Sequence, residues 1–300
     1  MSVSAHRRTE RQQLLRGLAF LSPWLVGFAV FTLLPIGLSL YYSFCDFSLL
    51  QRPVFRGLEN YRDIVTDPVF WQSIKVISLF ALMALPLGML CSLGLALLLN
   101  AKVRGQTIYR AIIFLPSLVP AVASAVVWLW LYNPKLGLIN LGLRKVGMSD
   151  PPGWLSDPNW SLSALVLMSL WGIGNTVIIY LAGLQDVPRE LYEAAELDGA
   201  GTAGKILHVT LPGISPVIFF NLIMAIIGTL QQFTLPFIMT PNGQPGRATY
   251  FYTMYLYDNA FAYLKMGFAS GMSWILLLMI LALTGLAFWT SRRWVYYQGK

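Results

Sequence analysis

The sequence predicts an all-α, polytopic membrane protein with six transmembrane helices. Three observations carry that prediction. Of the 300 residues, 56% are hydrophobic and 11% are charged, against about 25% charged in a soluble domain, so the chain lacks the polar surface to coat a globule in water. Six uncharged apolar stretches each reach the roughly 20 residues that crossing a bilayer requires. The 21 Lys and Arg and the 13 Asp and Glu side chains all fall outside those stretches. A disordered chain, a secreted disulfide scaffold and a cytosolic enzyme are excluded on these grounds.

The elements follow in order. Residues 1–16 form a basic N-terminal tail, and the first span is expected over 17–44. It is too long for a cleaved signal peptide and lacks the small-residue cleavage site, so it reads as a true span. The second and third spans are expected over 76–99 and 111–132, the fourth over 161–184, the fifth over 212–239 and the sixth over 268–290, with a tail from 291 to 300. Residues 17–290 thus make one membrane domain, which includes the loop 185–211. The loops on one side are rich in Pro, Trp and Asp, as in Asp150-Pro151-Pro152-Gly153-Trp154 and Asp157-Pro158-Asn159-Trp160. Such stretches make turns, and their indoles suit the membrane interface. Cys45 at a span end and Cys91 mid-span are too few for a framework and read as unpaired apolar side chains.

Orientation follows from the basic residues. The side holding 1–16, 100–110, 185–211 and 291–300 carries 12 Lys and Arg in 64 residues, and the other side 9 in 87. Lys102, Arg110, Arg189, Lys205 and Arg292 are among the first group. The denser side is expected to be cytoplasmic, and an even number of spans puts both termini there. The net charge of +8 is therefore read as loop charge at a membrane surface and not as a nucleic-acid footprint.

The loop 185–211 stands apart because only it has an acidic helical pattern. Asp186-Val187-Pro188 precedes a helix with Pro188 expected in its first turn, and Gly199 fits the left-handed position after its end. Leu191, Ala194, Ala195 and Asp198 lie on or near one face, with Glu193 and Glu196 alongside. A second short helix is expected from about Thr202 to Val209, stopped before Pro212. Two short helices joined at a glycine make an elbow. A solvated connector is the plainer reading, but small Ala194 and Ala195 beside Leu191 and Tyr192 allow a partner to approach closely.

The spans carry uncharged polar groups: Ser124, Ser169, Asn175, Thr176, Asn221, Thr229, Gln231 and Gln232. In lipid they are costly unless they face one another or a hydrated cavity. Asn175, Thr229 and Gln232 are the sharper candidates. Trp171 lies one turn from Asn175, and Gly172 lets a ring approach the backbone; amides, hydroxyls and aromatic faces are what a neutral polyol requires. Other signals are weak. Gly199 to Gly204 satisfies GxGxxG but follows an acidic helix where the dinucleotide fingerprint needs a strand. Ser270-Gly271 has no intramembrane histidine to activate it, since His6 and His208 lie outside the spans. A proton-driven carrier usually needs an Asp, Glu or His within the membrane, and the spans contain none. No GKS/T phosphate loop is present, so ATP hydrolysis by that route is excluded.

One set of motifs has a family likeness. Glu193-Ala194-Ala195, then Gly199, Val209 and Leu211-Pro212 at the spacing found here, resembles the "EAA" loop of ABC importer permeases, with Val209 where Ile is usual. The run Pro188 to Ala200 and Val209-Thr210-Leu211-Pro212 is similar to the carbohydrate branch, which handles maltose, lactose, other sugars and glycerol phosphates. Gly57-Leu58-Glu59-Asn60-Tyr61, Asp67-Pro68-Val69-Phe70-Trp71 and Phe114-Leu115-Pro116 resemble the first of the two permeases that such importers pair. Ala203, Gly204 and Gly243-Gln244-Pro245 depart from the usual pattern.

The resemblance implies a maltose-permease-like fold and a non-catalytic subunit in a bacterial or archaeal cytoplasmic membrane. Its implied partners are a second homologous permease, two cytosolic ATPase subunits that bind the ATP and Mg, and an extracellular or periplasmic sugar-binding protein. It implies no cofactor on this chain and no nucleic acid. The implied ATPase-coupling residues are Glu190, Leu191, Tyr192, Glu193, Ala194, Ala195, Asp198, Gly199, Leu211 and Pro212. The implied substrate path is lined by Met168, Trp171, Gly172, Asn175, Gly228, Thr229 and Gln232. An ABC permease for a non-sugar solute, and a secondary carrier or channel, are the alternatives.

Overall fold

A computed structural model of the chain describes residues 3–101 and 104–296, so Lys102, Lys300 and the outermost residues of both tails lie outside the described residues. Among the described residues the fold is helical apart from one pair of two-residue strands. It divides into two compact units, residues 1–66 with 259–274 and residues 67–258 with 275–300. By length and composition four helices can each cross a bilayer, or six if two bent pairs each count as one span.

In the first unit, α1 (Val3–Phe28) continues through a π turn over Ala29–Leu33 into α2 (Leu34–Ser43). No break falls at residue 16, so tail and first span are one helix, apolar from Arg16 to Ser43. Phe20 is 89% exposed and Phe31 81%. A helix that shows apolar side chains all round is built for an apolar surrounding. Beyond it, β1 (Cys45–Asp46) pairs antiparallel with β2 (Val54–Phe55), and Arg56 closes an ion pair on Asp46 at 3.0 Å. Then α3 (Glu59–Thr66) brings Asn60 Nδ2 to donate to the Ser43 and Cys45 carbonyls at 2.9 and 2.8 Å. Gly267 sits so close to this hairpin that a Cβ on it would lie 2.0 Å from the Cys45 carbonyl oxygen.

The second unit is built on α4 (Pro68–Asn100), which starts eight residues before the expected span. Asp67 caps it by accepting from Val69 N at 2.7 Å, with Pro68 in the first turn. Tyr255 donates to the other oxygen of Asp67. The third span departs from expectation. It is two helices, α5 (Gln106–Phe114) and α6 (Ala121–Leu131), bent by 99° across a 3₁₀ turn at Leu115–Leu118. Pro120 is the cause: it forces Val119 into extended backbone (φ −74°, ψ 128°) and restarts the helix as its cap.

After α6, α7 (Leu138–Lys145) is pinned by Asn140, whose amide donates to the Pro134 and Pro152 carbonyls and accepts from Trp154 Nε1 at 2.6 Å. The fourth span is also bent, by 50° at Gly172–Ile173, into α8 (Pro158–Trp171) and α9 (Gly174–Gln185). A Cβ on Gly174 would fall 2.7 Å from the Ile113 carbonyl oxygen, so glycine is what lets the two bent spans touch. The loop region supplies α10 (Arg189–Leu197), α11 (Thr202–Lys205) and α12 (Leu211–Gly213). The fifth span is α13 (Ser215–Leu230) and α14 (Thr234–Met239), interrupted at 231–233. After α15 (Tyr252–Tyr257), α16 (Met266–Ser291) is the last helix. A core of Ala96, Leu99, Tyr180, Leu184, Val187 and Ile214 gathers α4, α9 and the root of α13 beside the elbow.

Candidate functional site: an elbow and a polar cavity

The elbow forms for local reasons. Pro188 is the cap residue of α10 and not part of its first turn, which begins at Arg189. At the other end Ala200 N donates to Ala195 O at 2.8 Å and Gly199 N to Glu196 O at 3.0 Å, the paired bonds of a Schellman stop. Gly199 takes φ +77°, with nothing within 4 Å of where a Cβ would stand. The need for glycine here is conformational and not a matter of space.

The second arm differs from expectation. It does not stop before Pro212: α11 passes through a π turn at Ile206–Thr210 into α12, which carries Pro212. Leu211 and Pro212 are therefore the elbow's root, half-buried and exposed respectively.

On α10, Glu190, Leu191, Glu193, Ala194 and Asp198 are exposed, as is Gly199, while Ala195 is half-buried. Leu197 is 90% exposed, a large apolar side chain held out from a loop. A plain connector gains nothing from that. Tyr192 turns the other way, packing against the core beside Val187 and placing its hydroxyl 3.0 Å from Thr210 Oγ1. Glu196 forms an ion pair with Lys205 across the elbow. Tyr192 is thus set apart from the exposed surface.

The residues implied for a substrate path separate into two groups. Gly228, Thr229 and Gln232 line a cavity of about 180 Å³, with Phe80 and Gly88 of α4, Ser169 and Thr176 of the fourth span, and Asn221. Asn175 and Gly172 are exposed and stand outside the lining of this cavity, and Trp171 is half-buried, edge-on to Trp128 at 6.2 Å. Met168, at 3% exposure, is packed inside the chain and does not line this cavity.

Sequence reasoning left out Phe80 and Gly88, which stand in the apolar stretch of α4 between Ser78 and Ser92. Asn221, Ala225, Gly228 and Gln232 recur at helical spacing, so that stripe was available to find. The break at 231–233 frees backbone groups, and Thr253 Oγ1 donates to the Gln232 carbonyl there. The cavity's side chains offer hydroxyls, amides and an aromatic face, and none is charged.

The family described as "Binding-protein-dependent transport system inner membrane component" matches residues 84–295. A probable ABC transporter permease protein, YesP of Bacillus subtilis (strain 168), is 38% identical over 98% of this chain and 96% of its own length. The lactose transport system permease protein LacF of Rhizobium radiobacter is 31% identical over 97% of this chain and 99% of its own. The sulfoquinovosyl glycerol transport system permease protein SmoG of Agrobacterium fabrum (strain C58) is 31% identical over 90% and 88%. Among solved structures, a chain of a bacterial ABC transporter that imports the acidic polysaccharide alginate superposes with a TM-score of 0.81 at 24% identity, covering 97% of this chain and 99% of that one. That likeness is one of fold.

Proposed function

The chain belongs to the family of binding-protein-dependent transport system inner membrane components, and from that premise we propose that it is one half of the membrane pathway of an ATP-driven carbohydrate importer. A second homologous permease supplies the other half. Two cytosolic ATPase subunits, which hold the ATP and Mg, grip one elbow on each permease, and an external binding protein delivers the solute. Both termini and the elbow face the cytoplasm. The chain performs no covalent chemistry; it converts movement of the elbow into alternate opening of the cavity to either side.

The observation that carries this reading is the elbow itself, a short helix stopped by a left-handed glycine, with Glu190, Glu193 and Leu197 held outward. Those side chains offer a docking ATPase both charge and apolar area. The relatives named for lactose and for sulfoquinovosyl glycerol support a carbohydrate, and the uncharged hydroxyl and amide lining of the cavity suits a hydroxyl-rich solute. On the exposed face, Trp171, Gly172 and Asn175 are assigned to the half of the path that the second permease completes.

The test is ATP hydrolysis by the purified complex of both permeases, the ATPase and the binding protein. The panel is lactose, sulfoquinovosyl glycerol, other oligosaccharides and sn-glycerol 3-phosphate. Stimulation by at least one carbohydrate is expected. A complex that forms but is stimulated only by amino acids or other non-carbohydrates refutes the substrate class. An ATPase that does not co-purify at all refutes the elbow's role.

A further inference from the structure

Resting on that reading of the elbow, we infer that the Thr210 hydroxyl is a positioning group that joins the docking helix to the root of the fifth span as one lever. Tyr192 and Glu196 are four residues apart on α10 and so share a face, turned away from Glu190 and Leu197, with Glu193 at its flank. Glu196 reaches Lys205 on the second arm directly, and Tyr192 reaches it through Thr210. Glu196 pairs with the Lys205 ammonium. Thr210 Oγ1 donates to the Lys205 carbonyl at 3.2 Å, and the Tyr192 hydroxyl lies 3.0 Å from the same Oγ1.

A hydroxyl has one proton. Thr210 spends its proton on Lys205, so Tyr192 is the donor and Thr210 the acceptor in their bond. The result is a directed chain, Tyr192 O–H to Thr210 O–H to Lys205 carbonyl, in which each bond polarises the next. Thr210 is 4% exposed, so a broken link would leave a buried hydroxyl partly unpaired.

The chain spans the π turn at Ile206–Thr210, where the regular helical ladder is interrupted. Without it, α10 could shift while that turn absorbed the motion. With it, α10 grips Lys205 by backbone and by side chain, and Thr210 leads within five residues into α13. At the far end of that helix stand Thr229 and, just past it, Gln232, both on the cavity. Tyr192 and Thr210 therefore serve transmission, and the outward face of α10 serves docking.

The experiment uses the complete complex, with Thr210→Val, which keeps the shape and removes the hydroxyl, Thr210→Ser, which keeps the hydroxyl, and Tyr192→Phe. Two quantities are read: the amount of ATPase co-purified, and the ratio of ATP hydrolysis with and without the panel sugar that best stimulates the unaltered complex. Thr210→Val and Tyr192→Phe are expected to hold the ATPase at unaltered stoichiometry and lose about five-fold in the stimulation ratio, the worth of one hydrogen bond. Thr210→Ser is expected to restore the ratio. An unaltered ratio in Thr210→Val overturns the inference. So does a Thr210→Ser complex as defective as Thr210→Val, which would make the methyl group the important part. ATPase lost from Thr210→Val also overturns it, since the hydroxyl would then serve docking. If the unaltered complex fails to bind the ATPase, the proposed function fails and not this inference alone.

Discussion

Replacing Gly199 isolates the backbone from the space around it. Gly199 sits at φ +77°, and a Cβ built there meets nothing within 4 Å. Gly199→Ala therefore adds no clash within the chain and charges only the left-handed conformation, about 1 kcal/mol. At 25 °C that is about a five-fold shift away from the stopped helix, since 1.4 kcal/mol is tenfold. Gly199→Asn should cost less, because Asn enters that region more readily. Gly199→Leu pays the same backbone cost and adds bulk to the exposed tip. The expected order of ATPase co-purification and of sugar uptake is Gly, then Asn, then Ala, then Leu, with normal membrane insertion throughout. The reasoning is refuted if Asn is as damaging as Leu, for then bulk and not backbone angle decides. It is equally refuted if all three variants behave like the unaltered chain.

Other outcomes follow from the same description. Glu193→Lys reverses a charge on the exposed face of α10; if it pairs with a buried cation on the ATPase, losing that pair costs roughly 2–5 kcal/mol, and ATPase retained on the column at normal yield would contradict it. A reporter active only outside the cytoplasm should work when fused near Ser149 and fail near Gly201, and activity at Gly201 would overturn the orientation. Asn175→Leu and Gln232→Leu should each reduce or redirect sugar uptake while the complex still assembles; unchanged uptake in both would make these amides packing groups.

Much of the architecture was legible because charge is so costly in lipid: the gaps between charged residues marked the six apolar stretches. Helix ends were less so. Residues 68–75 read as loop because Lys75 and Gln72 are polar, yet the Asp67 cap and Pro68 start the helix there. The elbow's stop was readable from Gly199 alone, since few residues besides glycine accept its backbone angle. The direction of Tyr192 was not, because it depends on a hydroxyl 18 residues away. The cavity was half legible: Gly228 and Thr229 near the end of α13, and Gln232 just past it, line it. Neighbouring positions on a helix point apart, so Met168 packs inward and Ser169 lines the cavity.

The bend in the third span bears on how the chain is made. A translocon meeting residues 111–132 sees one apolar stretch, and an isolated apolar stretch in lipid keeps its backbone bonds by staying as straight as its prolines permit. The 99° corner follows the 3₁₀ turn at Leu115–Leu118, where Val119 and Pro120 leave the helical conformation. Its closest support is Gly174, which arrives more than forty residues later in synthesis and sits against the Ile113 carbonyl. Pro120 permits the corner, and docking of the fourth span is expected to fix it. Gly174→Val should leave insertion of both spans intact and stall that docking, visible as an inserted chain that stays sensitive to protease. Full protease resistance in that variant would show that the corner forms unaided.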